Sequence, residues 1–100
     1  MAYFLMKLVP PRATFPGDAT PAEMTAMGQH AEYIRALVRE GRILAAGPVM
    51  DPAGSWGVAL AEVPDEAAAR ALGAGDPVVR SGLGFRWDVF PMPSLIFPER

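Results

Sequence analysis

Residues 42–63, RILAAGPVMDPAGSWGVALAEV, decide the architecture of this chain. Two apolar runs flank Asp51, Pro52, Ala53 and Gly54, which combine a side chain able to close an Asx-turn, a fixed φ and a residue free to take φ > 0. That is a β-hairpin signature. One strand-like run and one helix-like run precede it, and the same pair follows in reverse order. The hairpin therefore stands at the centre of a β-α-β-β-α-β plan.

Working outward, residues Ala2 to Val9 (AYFLMKLV) are rich in strand formers and are stopped by Pro10 and Pro11, which have no N–H for a ladder. Phe4, Met6 and Leu8 share one face, and Tyr3, Leu5 and Val9 the other, with Lys7 the only charge. The run PPRATFPGDA that follows, residues 10–19, reads as an ordered loop long enough to lie over a pocket. Thr20, Pro21 and Glu23 then supply a cap, a proline at the first helical position and a capping-box acid. Met24, Met27, Ala31, Ile34 and Val38 follow a 3,4 spacing and predict one buried stripe, while Glu32, Arg35 and Arg39 face away. Gly41 ends this helix.

Beyond the hairpin, Pro64 and Asp65 open a second helix through Glu66 to Leu72, ending near Gly73 to Gly75. Asp76 and Pro77 repeat the cap-then-proline logic for one further turn before Gly82. Phe85, Trp87 and Val89 alternate with Arg86 and Asp88 to form a last strand that ends at Pro91. The expected fold class is α+β, ferredoxin-like, with an antiparallel sheet carrying two helices on one face. Residues 1–100 make a single domain, with 1–92 as core and 93–100 as a tail whose Leu95, Ile96 and Phe97 predict a docked arm. Two helices cover only one side of such a sheet, yet the first three strands are apolar in both phases. A second copy packed face to face, as a two-fold homodimer, is the economical cover.

Composition excludes several classes of function. Hydrophobic residues make up 51% of the chain, but no apolar run approaches the ~18 residues of a membrane span. Nine basic and eleven acidic residues are scattered rather than blocked, so no footprint for nucleic acid or anionic lipid is present. There is no cysteine, which removes thiolate nucleophiles, thiolate metal sites and disulfides together. No secretory pattern follows Met1, and a cytoplasmic location is the expectation.

Few side chains can carry chemistry. His30 is the only histidine, on the border of the helical stripe toward Tyr33 and Leu37; with no second histidine and no cysteine, a metal site is not expected. Candidate carboxylate partners for His30 are Asp51 in the hairpin turn, Asp76 before Pro77 and Asp88 in the last strand. Each also has a purely structural role open to it, as turn closer, helix cap or surface acid. Ser55, Ser81 and Ser94 lie in no G-x-S-x-G context, and no glycine pattern matches a P-loop or dinucleotide fold. Tyr33, Trp56 and Trp87 have the ordinary reading of core aromatics.

Gln29-His30-x-x-Tyr33 with Leu37, then Ala46-Gly47-Pro48 with Asp51 and Gly54, then Asp76-Pro77 with Gly82-Leu83, resemble the YCII (YciI-like) family. The likeness spans nearly the whole chain. It implies a ferredoxin-like fold that dimerises as an α/β barrel, and a histidine and aspartate site, His30 and Asp76 by motif, with Tyr33, Asp51 and Trp56 expected to meet substrate. Family members often carry an arginine and a proline just before the histidine, where Met27, Gly28 and Gln29 stand here. Some relatives are implicated in proton transfer or elimination on small ring compounds. The resulting expectation is a lyase or isomerase that needs no cofactor and takes a small apolar or aromatic molecule. The alternative is a non-catalytic dimeric module that binds a small ligand.

Overall fold

The computed structural model describes residues 1–99. The chain runs β1 (Ala2–Val9), α1 (Pro21–Arg39), β2 (Ile43–Val49), β3 (Trp56–Val63), α2 (Glu66–Ala74), α3 (Pro77–Arg80) and β4 (Arg86–Met92). The four strands form one antiparallel open sheet in the order β2-β3-β1-β4, consistent with a ferredoxin-like arrangement. No helix among the described residues is long and apolar enough to cross a membrane.

Local signals set most boundaries. The Thr20 hydroxyl accepts from the Glu23 N–H at 3.2 Å and the Glu23 carboxylate accepts from the Thr20 N–H at 2.8 Å, so the capping box forms as a reciprocal pair. Gly41 follows α1 at φ 78°, the left-handed turn that glycine adopts without a Cβ clash. Asp65 caps α2 and Asp76 caps α3 through side-chain oxygens. In the hairpin, Asp51 accepts from the Ala53 N–H at 2.9 Å and Gly54 takes φ 137°. One boundary differs from expectation: β4 continues through Pro91, in register with Phe4, to Met92. Its only neighbour is β1, and an edge strand tolerates a proline whose missing N–H falls on the unpaired side.

Register explains the core. Phe4, Met6 and Leu8 of β1 lie opposite Ala61, Ala59 and Gly57 of β3, so large side chains on one strand face small ones on the next. These β1 residues are buried beneath α1 and α2, each contributing about 1.5–3 kcal/mol of transfer free energy. The buried residues divide into two clusters. Met6, Leu37, Ile43 and Leu72 centre the first, while Leu8, Phe15, Val78 and Phe85 centre the second at the other end of the sheet. Trp87 packs against both.

The opposite sheet face is half-exposed. Leu5 there pairs with Leu60 and Phe90, and Phe90 is 49% exposed. Phe97 packs edge-on against Tyr3 on this face at 6.1 Å between ring centroids, while Ile96 beside it is 98% exposed. The expected arm is thus docked at Phe97; its last position, 100, lies outside the described residues.

Helix α1 does not bury the stripe expected of it. Its buried positions are Glu23, Ala26 and Leu37, with His30 and Tyr33 half-buried on the same side. Met24 is 55% exposed, and Val38 is exposed as well. The fully buried positions therefore lie one residue earlier than the methionines suggest, because Met24, Met27, Ala31 and Ile34 border a cleft, with Met27 and Ile34 half-buried between it and the core clusters.

Candidate active site

Asp76 is the anchor of the site. It follows directly on Gly75, the C-terminal cap of α2, and opens α3, which buries it completely at 0% exposure. Three donors reach its carboxylate. The Val78 N–H bonds Oδ1 at 3.0 Å, the Trp87 indole N–H bonds Oδ2 at 3.0 Å, and His30 Nδ1 lies 2.7 Å from that same Oδ2. A backbone N–H and an indole N–H can only donate. With Asp76 as a carboxylate, His30 Nδ1 donates too, which places the imidazole's basic lone pair on Nε2. No buried side-chain nitrogen or oxygen among the described residues lacks a partner, so the unbonded Nε2 is accessible. His30 is one of the residues that line the adjacent cleft.

That cleft has a volume of about 410 Å³. Met24, Met27 and Ile34 of α1 form one wall, and Phe15 and Pro16 of the 10–19 loop another. Small residues of the strands, Ala46, Gly47 and Gly57, leave the space open beneath. Among the described residues, His30 is the only imidazole at this mostly apolar surface and no carboxylate lines it, while Arg35 and Ser55 stand on its border.

A tight network holds the loop wall. Both Glu23 carboxylate oxygens accept from the Arg12 guanidinium, at 2.7 and 2.8 Å, and Arg12 Nε bonds Asp18 at 2.9 Å. Thr14 donates to the same Asp18 oxygen. The Arg12 hydrogen bonds, followed by the Thr20 N–H, pull the Glu23 carboxyl down to about 2. The Arg12 guanidinium is in turn held protonated by Glu23 and Asp18.

Of the three residues expected to meet substrate, Trp56 borders the cleft, whereas Tyr33 and Asp51 do not line it. The Tyr33 hydroxyl donates to the Leu72 carbonyl at 2.8 Å, satisfying an end-of-helix acceptor of α2, and does not line the cleft. Burial, then the negative charge of Asp76, raises its pKa and keeps it a donor. Asp51 takes the turn-closing role: its second oxygen accepts from the Trp56 indole at 3.1 Å. The Ala53 N–H and then this indole hold its carboxyl below the usual range. Trp56 borders the cleft, but by register it shares the far sheet face with Lys7, whose ammonium sits 4.7 Å from the ring centroid. Asp88, the third candidate partner, bonds Arg86 at 3.3 Å at the surface.

Trp87 is the residue that sequence reasoning left among the core aromatics. It touches Asp76 and lies 6.0 Å from the His30 ring, and no local pattern distinguishes it from Trp56. The Arg12–Glu23 pair joins a loop to a helix eleven positions away and has no spacing signal either. Among the described residues, no group of three or more His, Cys, Asp or Glu side chains could hold a metal ion.

No curated protein matches this sequence. The YCII-related domain model matches residues 3–93, and with that span of its 100 residues aligned, the chain belongs to the YCII family.

Proposed function

We propose that this protein is a small enzyme of the lyase or isomerase type that moves a proton on an apolar or aromatic molecule without a cofactor. One observation carries the reading: a fully buried carboxylate holds Nδ1 of the chain's only imidazole at 2.7 Å and leaves Nε2 free at an apolar cleft. His30 acts as the general base. Asp76 orients the ring and stabilises the imidazolium that forms. With no carboxylate among the described residues of the cleft wall, the proton taken by Nε2 is returned by Nε2, which suits an isomerisation or an elimination to a neighbouring leaving group.

A screen of small ring compounds tests this. In His30→Ala turnover falls by about 10²- to 10⁴-fold, the usual contribution of a general base, while ligand affinity changes little. Asp76→Asn also lowers turnover, because it disturbs the tautomer and orientation of the imidazole. Affinity weakened about tenfold, with no turnover across the screen, would instead identify a ligand-binding module.

The same proposal includes a homodimer closing an α/β barrel and a single domain whose core is 1–92. Half-exposed Leu5 and Leu60 and exposed Phe90 on the helix-free sheet face support the dimer. Sedimentation at micromolar concentration checks it, with a well-folded monomer as the contrary result.

A further inference from the structure

We propose that Trp87 is a positioning residue for the acid–base pair: its indole N–H anchors the Asp76 oxygen that holds His30 and keeps the imidazole's Nε2 aimed into the cleft. This rests on His30 acting as the base. The geometry is specific. Oδ2 of Asp76 takes two donors, His30 Nδ1 at 2.7 Å and Trp87 Nε1 at 3.0 Å, while Oδ1 takes the Val78 N–H. Fixed donors on both oxygens define the carboxylate plane independently of the imidazole. Without the indole N–H, Oδ2 is placed by the imidazole alone, and the ring then orients the group that should orient it.

Trp87 is itself held rigidly. A Cβ at Gly73 would lie 3.1 Å from both Cβ and Cδ1 of Trp87, so α2 packs closely against the side chain there. Its flanks pack on both core clusters, and its ring lies tilted 39° to the imidazole. The chain's other tryptophan offers an internal contrast. Trp56 also donates to an aspartate, but Asp51 is a turn residue that no imidazole meets.

The test uses the full chain and needs no substrate. Because His30 is the only histidine, ¹⁵N-labelled imidazole spectra give one set of signals. In the wild type, neutral His30 should show a protonated Nδ1, slow to exchange with water, and a bare Nε2. Two variants remove the indole N–H: Trp87→Phe, and replacement of Trp87 by benzothienylalanine, which keeps the bicyclic shape with sulfur in place of N–H. A hydrogen bond to a charged group shifts an equilibrium by about tenfold or more, so Nδ1–H exchange should quicken by about tenfold in both. Should Trp87→Phe unfold, as its amide spectrum would show, the isosteric variant decides. Exchange unchanged within about twofold in that variant overturns the positioning role and leaves Trp87 as packing. A wild type with Nε2 protonated and Nδ1 bare overturns the His30–Asp76 reading itself, so the two failures are separable.

Discussion

Helix α1 turns two adjacent stripes inward, and they differ in what lies opposite. Glu23, Ala26, Tyr33 and Leu37 meet packed protein, with His30 among them reaching both Asp76 and the cleft, and each polar member of that stripe has a partner from a distant segment: Arg12, Asp76 or the Leu72 carbonyl. Met24, Met27, Ala31 and Ile34, one position later, meet the cleft. The more polar stripe is the buried one. Burial of a polar group depends on a satisfied partner rather than on hydropathy, and an apolar stripe can face a void as readily as a core.

The sharpest break in that comparison comes at Asp76, where three donors converge on one buried carboxylate. Asp76→Ala leaves them without an acceptor and should cost about 3–5 kcal/mol, measured as a shift in the denaturant midpoint. Next is the apolar contrast between the stripes. Leu37→Ala, in the packed stripe, should cost about 2–4 kcal/mol, whereas Met24→Ala, beside the cleft, should cost less than about 0.5 kcal/mol. Equal losses would mean that the cleft closes onto α1 in solution.

The same contrast shows how far the sequence could be read. Strand and helix positions were legible because capping residues, prolines, glycines and alternation act within a few positions, as at Thr20–Glu23 and Asp51–Gly54. His30 stood out as the only histidine, but the choice of Asp76 among three candidate partners came through a family likeness; their separation of 46 positions carries no local signal. Met24, Met27 and Ile34 were read as one buried stripe, yet Met24 is exposed and Met27 and Ile34 lie half-buried between core and cleft, because periodicity records which side of a helix is apolar and not whether that side is filled. Asp51 was expected at the ligand, yet it serves the hairpin, since an aspartate two residues before a backbone N–H closes its own turn, while Trp56 both bonds Asp51 and borders the cleft. Trp87 was hidden for a related reason: a strand residue's face can be read from alternation, but the carboxylate opposite it cannot.

A smaller effect belongs to Tyr33. Its hydroxyl bonds the Leu72 carbonyl where α2 ends, and a Cβ at Gly75 would come within 2.8 Å of that oxygen. Tyr33→Phe should lose about 1 kcal/mol, the net value of one such bond, with turnover much less affected than in His30→Ala because Tyr33 does not line the cleft. A turnover loss matching that of His30→Ala would move Tyr33 from support into the site.

The smallest effect should come from the far end of the packed stripe, where Glu23 binds Arg12 and so holds the loop that carries Phe15 and Pro16. Arg12 is about a third exposed, so solvent screens the pair and its contribution is modest. Its pH dependence is nevertheless defined. Glu23 has its carboxyl lowered from 4.5 to about 2 in the folded chain, so the unfolded chain binds the proton more readily. The stabilisation is therefore fully present above about pH 4.5 and is lost as pH falls through about 2. Asp18 and Asp51 are also lowered and titrate in acid, so the wild-type curve alone does not isolate Glu23. The difference between wild type and Glu23→Gln does. That difference in unfolding midpoint should be constant above about pH 5 and shrink steadily toward pH 2, and Arg12→Ala should abolish most of it. A difference that stays flat across this range would show that the loop is held by Phe15 packing against Phe85 rather than by the charge pair.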